Sequence, residues 1–151
     1  MKLGLITSIC EGMTFEEVVD FAAENGLECL EVACWPQGGA NRRYAGVSHI
    51  DAANLTEAKA KEIKDLCAKK GVEISALAYY PNTMDPDLEK RAGYIAHLYK
   101  LIDASAMLDV NMVTTFVGRD PKKNVSENLE LVKEVWPPIV KYAEEKGVKI
   151  A

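Results

Sequence analysis

Hydrophobic positions along the chain follow two alternating periods. Short runs rich in β-branched residues alternate with longer stretches whose apolar residues recur every three or four positions. One unit repeats: an amphipathic helix, a glycine stop, then a short strand. Ala23-Glu24-Asn25-Gly26-Leu27-Glu28-Cys29-Leu30-Glu31-Val32 is one copy. Ala68-Lys69-Lys70-Gly71-Val72-Glu73-Ile74-Ser75-Ala76-Leu77 is another, and Glu144-Glu145-Lys146-Gly147-Val148-Lys149-Ile150-Ala151 opens a third. Leu108-Asp109-Val110-Asn111-Met112-Val113 makes the same joint without glycine. The residue after a helix often takes a left-handed backbone, which costs glycine little.

The pattern predicts strands at about residues 3–8, 29–34, 73–79 and 112–117, with a fifth starting at Val148. Thr14-Phe15-Glu16-Glu17 reads as a capping box opening the first helix, with Phe15, Val18, Val19, Phe21 and Ala22 as its buried stripe. A long loop covers residues 35–51. Asn54 with Glu57 is the expected cap of the second helix, which runs to Lys70. Asp85-Pro86 is the expected start of the third, which runs to about Leu108. Asn124 with Glu127 caps the fourth, where Pro137 and Pro138 predict a kink or a break.

Strict alternation of strands with long helices implies parallel strands joined by right-handed crossovers. Two architectures satisfy it. In one the strands keep sequential order and the helices share one side, as in half of a (β/α)8 barrel: a (β/α)4 unit plus the start of strand five. In the other the order reverses once and helices cover both faces, as in a flavodoxin-like open sheet. A doubly covered sheet calls for unbroken apolar strands. Here Glu31, Ser75, Thr114 and Thr115 interrupt them, which suits a barrel interior. A complete barrel needs about 250 residues. The 151 residues hold the parts for one half, read as a single domain.

Composition narrows the function classes. A net charge of −5 offers no electrostatic footprint for nucleic acid or for an anionic membrane surface. No stretch is long and apolar enough to span a bilayer, and the opening residues turn polar too soon for a signal peptide. Cys10, Cys29, Cys34 and Cys67 match no zinc-ribbon or redox spacing, so reduced thiols in a cytoplasmic protein are expected.

Several segments carry a family resemblance. Tyr79-Tyr80-Pro81-Asn82, Thr114-Thr115-Phe116-Val117-Gly118-Arg119-Asp120, Gly147-Val148-Lys149-Ile150-Ala151 and the loop Arg42-Arg43-Tyr44-Ala45-Gly46-Val47-Ser48-His49-Ile50-Asp51 resemble the xylose-isomerase-like barrels of the sugar-phosphate isomerase/epimerase type. The resemblance implies a metal-dependent sugar or sugar-phosphate isomerase/epimerase. In the complete enzyme a divalent metal (Mn, Mg, Co or Zn) holds the substrate oxygens while two glutamates move a proton. The family's metal ligands stand on strands five to eight. The resemblance therefore assigns this chain no metal ligand, no cofactor and no catalytic residue, and inactivity on its own. Barrel endonucleases of the same fold take histidine ligands from strand ends in their first half, where this sequence has Trp35 and Tyr79-Tyr80. The alternative function is a non-catalytic, self-associating half-barrel.

Chemistry in such a barrel gathers at the C-terminal strand ends. Trp35 there is a candidate wall of a sugar pocket, or an aromatic packed under the long loop. Tyr80 and Asn82 are candidates for hydrogen bonds to sugar hydroxyls, Asn82 alternatively for turn chemistry beside Pro81. Arg42 and Arg43 offer guanidinium groups to a substrate phosphate or carboxylate, or stand in solvent. Glu31 and Thr115 are placed in the lumen or behind the site. Glu31 is either a support for the active site or one member of an ion pair. His49 and His97 lie far apart in the sequence and neither is on a strand end, which argues against metal binding; His49 reads as a loop hydrogen-bonding residue and His97 as a packed or surface imidazole. A half-barrel leaves one sheet face and two strand edges open. The expected partner is a second copy, giving a homodimer that completes an eight-stranded barrel, or else a missing C-terminal half.

Overall fold

Five strands stand side by side in the order in which the chain makes them, and every neighbouring pair is parallel. The structure is a computed structural model that describes residues 1–38 and 46–151. Strands β1 (Gly4–Ile6), β2 (Cys29–Ala33), β3 (Glu73–Ala78), β4 (Met112–Thr114) and β5 (Lys149–Ile150) are separated by helices α1 (Phe15–Glu24), α2 (Glu57–Lys70), α3 (Leu88–Met107) and α4 (Val125–Glu145). Sequential order is the barrel arrangement. A flavodoxin-like sheet needs one reversal of order, and none occurs here. Among the described residues no helix is long and apolar enough to cross a membrane.

The four helices share one core against the outer side of the sheet. Leu30 and Val32 of β2, Leu77 of β3 and Val113 of β4 meet Val18, Val19 and Ala22 of α1, Ile63 of α2, Leu98, Leu101 and Ile102 of α3, and Ile139 of α4, all buried. The opposite, concave side of the sheet carries Glu31 and small side chains, Ala33, Ala76 and Ala78, none of which belongs to that core. One irregularity sets this division. Leu30 pairs with Ile74, but Glu31 pairs with Ala76, so Ser75 is an extra residue on β3. Its hydroxyl donates to the Leu30 carbonyl at 3.0 Å. A one-residue insertion exchanges the faces of everything after it. Leu77 and Tyr79 therefore enter the helix-side core, and Ala76, Ala78 and Tyr80 look into the concavity.

Helix ends follow local chemistry, with three departures from the pattern. Thr14 with Glu17 and Asn124 with Glu127 form complete capping boxes. The α2 cap is Thr56, whose hydroxyl accepts from Lys59 N at 3.2 Å, not Asn54. Asn54 is held instead in a turn on Asp51, whose Oδ1 accepts from Ala53 N and Asn54 N. The α3 cap is Asp87, whose Oδ1 accepts from Glu89 N at 3.0 Å and Lys90 N at 3.2 Å, so Asp85-Pro86 forms the preceding turn. Helix α4 runs unbroken through Pro137 and Pro138. Both prolines, and the residues Lys133 and Glu134 whose carbonyls lose a donor, lie on the exposed side, where the freed oxygens are open to solvent. The joint without glycine works because Asp109 and Asn111 themselves adopt φ of 57° and 58°.

Cys10, Cys34 and Cys67 are buried and all four cysteines are free, in keeping with their reading as thiols. Phe21 departs from its expected place. It is 41% exposed, because it lies on the flank of α1 away from α2, and no described element stands there. This difference has an energetic reading. Leu77→Ala is expected to lower stability by about 2–5 kcal/mol, as a fully buried large-to-small change does. Phe21→Ala should cost under about 1 kcal/mol. Urea unfolding of the two variants measures both, and a similar cost for each would mean that α1 is covered on that flank.

Candidate strand-end site

The concave side of β2 to β4 converges on one carboxylate. Ala33 pairs with Ala78, and Ala78 with Thr114, so the three strands are in register at their C-terminal ends. Small residues at these positions leave room for Glu31 between longer neighbours. The Tyr80 hydroxyl donates to Glu31 Oε1, and Thr114 Oγ1 donates to the same oxygen at 2.9 Å. The hydrogen-bond partners of Glu31 among the described residues are thus hydroxyls. Burial, and next the Glu31 carboxylate, push the Tyr80 phenol above its ordinary value, because both disfavour the phenolate.

Beside this hub stands an aromatic shelf on an anchored loop. The Phe116 ring lies 4.7 Å from the Tyr80 ring, and its residue is 60% exposed. Asn82 clamps the loop after β4: its Oδ1 accepts from Arg119 N at 2.8 Å and its Nδ2 donates to the Arg119 carbonyl at 2.9 Å. Thr83 Oγ1 donates to the Val117 carbonyl at 2.7 Å, and Trp136 Nε1 donates to the same oxygen at 3.4 Å. Asp120 N donates to Asn128 Oδ1 at 2.8 Å. Gly118 sits at φ 78°, and a Cβ there would collide with the Asn82 side chain. The clamp and the glycine are one device. Between Tyr80-Pro81-Asn82 and Phe116-Val117-Gly118-Arg119 lies an open groove of about 510 Å³.

The predicted site residues separate into groups. Tyr80 and Glu31 meet at the hub. Asn82 lies at the groove, but its amide is committed to the Arg119 backbone and to Met84 N. Trp35 packs edge-on against Tyr79, ring centroids 4.9 Å apart, and against the helix-side core. Tyr79 in turn meets His97 edge-to-face at 4.6 Å, and the His97 Nε2 lies 2.8 Å from the Cys34 carbonyl oxygen. Thr115 does not reach Glu31. Its hydroxyl is buried without a partner among the described residues, and its N–H donates to the Ala151 carbonyl at 3.0 Å. Arg42 and Arg43 lie outside the described residues. The loop histidine His49 donates its backbone N–H to the Ala33 carbonyl at 2.9 Å, and burial lowers the pKa of its ring.

Thr114 and Phe116 carry the site and are missing from the sequence-derived candidates. Thr114 was recoverable: Val113 must face the core, so period two turns Thr114 inward. Phe116 gave no signal, because an apolar residue in a strand-end loop reads as packing. Chemically, the hub offers one carboxylate oxygen already saturated by hydroxyl donors and a second oxygen with no partner among the described residues. Next to it is a flat apolar surface, an arrangement suited to a polyhydroxylated ligand. Among the described residues no three His, Cys, Asp or Glu side chains converge on a metal-sized site.

Glu31→Gln keeps the shape of the hub and should change stability by no more than about 2 kcal/mol. Glu31→Lys places a cation between two hydroxyls and should be clearly worse, and a parental melting curve for it would show that Glu31 faces solvent. Alkaline titration tests Tyr80 separately. A phenol whose folded pKa is raised contributes stability that is fully present below its unfolded pKa of about 10 and is lost as pH rises through the folded value. Urea midpoints measured at pH 8 and pH 11 should therefore diverge less in Tyr80→Phe than in the parent.

Comparison with known proteins agrees with this fold. The family model described as xylose isomerase-like TIM barrel matches residues 19–151. The uncharacterized protein YfiH of Bacillus subtilis (strain 168) is 26% identical over 147 residues, a match covering 93% of this chain and 44% of that protein. The structure of D-psicose 3-epimerase with D-tagatose from Clostridium cellulolyticum H10 superposes with a TM-score of 0.69 at 19% identity, over 99% of this chain and 51% of that one. A xylose isomerase domain protein from Planctomyces limnophilus gives 0.68 at 15% identity, over 99% and 52%. An IolI protein with a bound zinc atom gives 0.69 at 16% identity, over 100% and 50%. These structural likenesses establish the fold, and the chain spans about half the length of each of these proteins. With five parallel strands in barrel order and a family match over most of its length, the chain belongs to the xylose isomerase-like TIM barrel family.

Proposed function

We propose that this chain is the substrate-holding half of a sugar or sugar-phosphate isomerase/epimerase. The observation that carries the reading is the convergence of Tyr80, Glu31 and Thr114 beside the exposed Phe116 ring at the C-terminal mouth of the sheet. That is the end at which barrels of this kind do their chemistry. The structural neighbours include a D-psicose 3-epimerase and a xylose isomerase domain protein, which points the same way.

In this reading Phe116 and Tyr80 supply a face for the C–H side of a sugar, and the open oxygen of Glu31 accepts from a sugar hydroxyl. Tyr80, which spends its proton on Glu31, offers lone pairs to a second hydroxyl. Asn82, Thr83, Gly118 and Asn128 hold the loop that presents Phe116, so they position the shelf. Arg42 and Arg43 belong to the proposal as contacts for an anionic substituent, and Trp35 as an outer wall of the pocket. The divalent metal that the resemblance implies finds no fitting set of His, Cys, Asp or Glu side chains among the described residues. Metal ligands and proton-transferring carboxylates fall to the other half of the barrel.

Two measurements bear on this. The purified chain, supplied with Mn²⁺ or Mg²⁺, should show no aldose–ketose or C3-epimerase turnover above background, and turnover at the level of a complete enzyme would overturn the division of labour. Saturation-transfer NMR with a free ketohexose at millimolar concentration should detect contact with the chain. The signal should fall several-fold in Phe116→Ser and in Tyr80→Phe, and an unchanged signal in both would remove the shelf from the site.

A further inference from the structure

We propose that Arg119, with Lys122 and Lys123 behind it, forms an anion-reading end of the groove beside Phe116, and that it takes the phosphate monoester of a phosphorylated sugar. The inference rests on the reading of Tyr80 and Phe116 as a sugar shelf, and it names the charge of the substrate and the residue that selects it.

The first observation is the course of the two segments that wall the groove. Two rungs join them. At one, the Tyr80 and Phe116 rings stand 4.7 Å apart. At the other, Asn82 Oδ1 accepts from Arg119 N at 2.8 Å and Asn82 Nδ2 donates to the Arg119 carbonyl at 2.9 Å. Tyr80 and Asn82 are two residues apart, so the rungs lie within about 7 Å of each other along that wall. A sugar on the rings can reach the second rung with a substituent on its terminal carbon. Asn82 grips the backbone of residue 119 and leaves the guanidinium out of the clamp. The side chain starts from a fixed Cα, which lowers the entropy lost when its fork closes on two oxygens.

The second observation is charge. From Thr115 to Asn124 the chain carries Arg119, Lys122 and Lys123 against the one carboxylate of Asp120, a net charge of +2 where the whole chain has −5. All three cations are exposed, and among the described residues none has a carboxylate within ion-pairing distance. Asp120 is buried, and its Oδ1 accepts from Lys122 N at 2.9 Å, so it is spent on the turn. Across the groove Asp85 Oδ1 accepts from Asp87 N, and Asp87 Oδ1 from Glu89 N and Lys90 N. Glu31 stands at the other rung through Tyr80, so an anion is repelled from that end and drawn to this one. Surface cations alone are a solvated face. These stand at one end of a groove whose other end is an exposed aromatic ring. Three cations against one buried carboxylate suit a dianion better than a single charge, and a phosphate monoester is mostly dianionic at neutral pH.

The test titrates the isotope-labelled full chain with D-fructose, D-fructose 6-phosphate, D-gluconate and inorganic phosphate, and follows the backbone N–H signals of Gly118, Arg119 and Asp120. Inorganic phosphate and the phosphorylated sugar should move these signals. D-fructose 6-phosphate should bind about tenfold more tightly than D-fructose, the worth of one charge-assisted hydrogen bond. In Arg119→Gln that preference should vanish, and Arg119→Lys should keep part of it. Lys122→Gln with Lys123→Gln should lower it less and make it less sensitive to salt. Because the clamp holds backbone, the Asn82 side-chain amide signals should stay in place in every variant. No preference in the parent, or an unchanged preference in Arg119→Gln, would overturn the proposal, the second result passing the task to Arg42 and Arg43. An equal gain with D-gluconate would overturn the assignment to phosphate. The shelf is scored separately. Contact with D-fructose that depends on Phe116, with no response to phosphate, keeps the shelf and removes the anion site. A response to inorganic phosphate that Arg119→Gln abolishes, with no contact from D-fructose, keeps the anion site and removes the shelf.

Discussion

The extra residue in β3 is the constraint on which the site depends. Parallel strands present alternate residues to opposite faces, so a single inserted residue reassigns every side chain after it. Without Ser75 out of step, Leu77 and Tyr79 would point into the concavity, and Tyr80 would point into the helices. With it, the large apolar residues close the core, and Tyr80 arrives beside Glu31. The Ser75 hydroxyl satisfies the Leu30 carbonyl at the point where the regular ladder is interrupted. An unmet buried carbonyl at that point would cost more than the hydrogen bond contributes.

From that register the rest of the site follows as positioning. Glu31 is held by two hydroxyls, and the loop that carries Phe116 is held by Asn82, Thr83, Asn128 and Trp136. None of these supports depends on a long flexible side chain. Exposed apolar rings are costly to display, and a loop fastened at several carbonyls and amides keeps one on show without letting it collapse onto its neighbours. Preorganisation of this kind lowers the entropy lost when a ligand settles on the shelf.

The outer boundary of the fold obeys a different rule. Small alanines and polar groups on the concave side leave little apolar surface there, so the bare face is less demanding than strand periodicity suggests. The demand is displaced to the helix flanks, at Phe21, Leu129 and Val140. The hydrophobic stripe of each terminal helix is wider than the described residues bury, whereas α2 shows no large exposed apolar group and α3 only Leu88 at its first residue.

Read alone, the sequence determined the element order, the parallel crossovers, a leaning toward the half-barrel over an open sheet, two capping boxes and the inward direction of Glu31. These rest on short-range periodicity and on side chains bonding a backbone three residues away. Only the tertiary structure decided the rest. The phase of β3 after Ser75, the choice of Thr114 over Thr115, the commitment of Asn82 to a neighbouring loop and the exposure of Phe21 all depend on what stands across the sheet or beside the helix. Trp35 shows the limit most plainly. Its position at a strand end was legible, but its packing against Tyr79 was settled by a ring on another strand, because a side chain's surroundings are made by residues remote in sequence and periodicity records only which face it starts from.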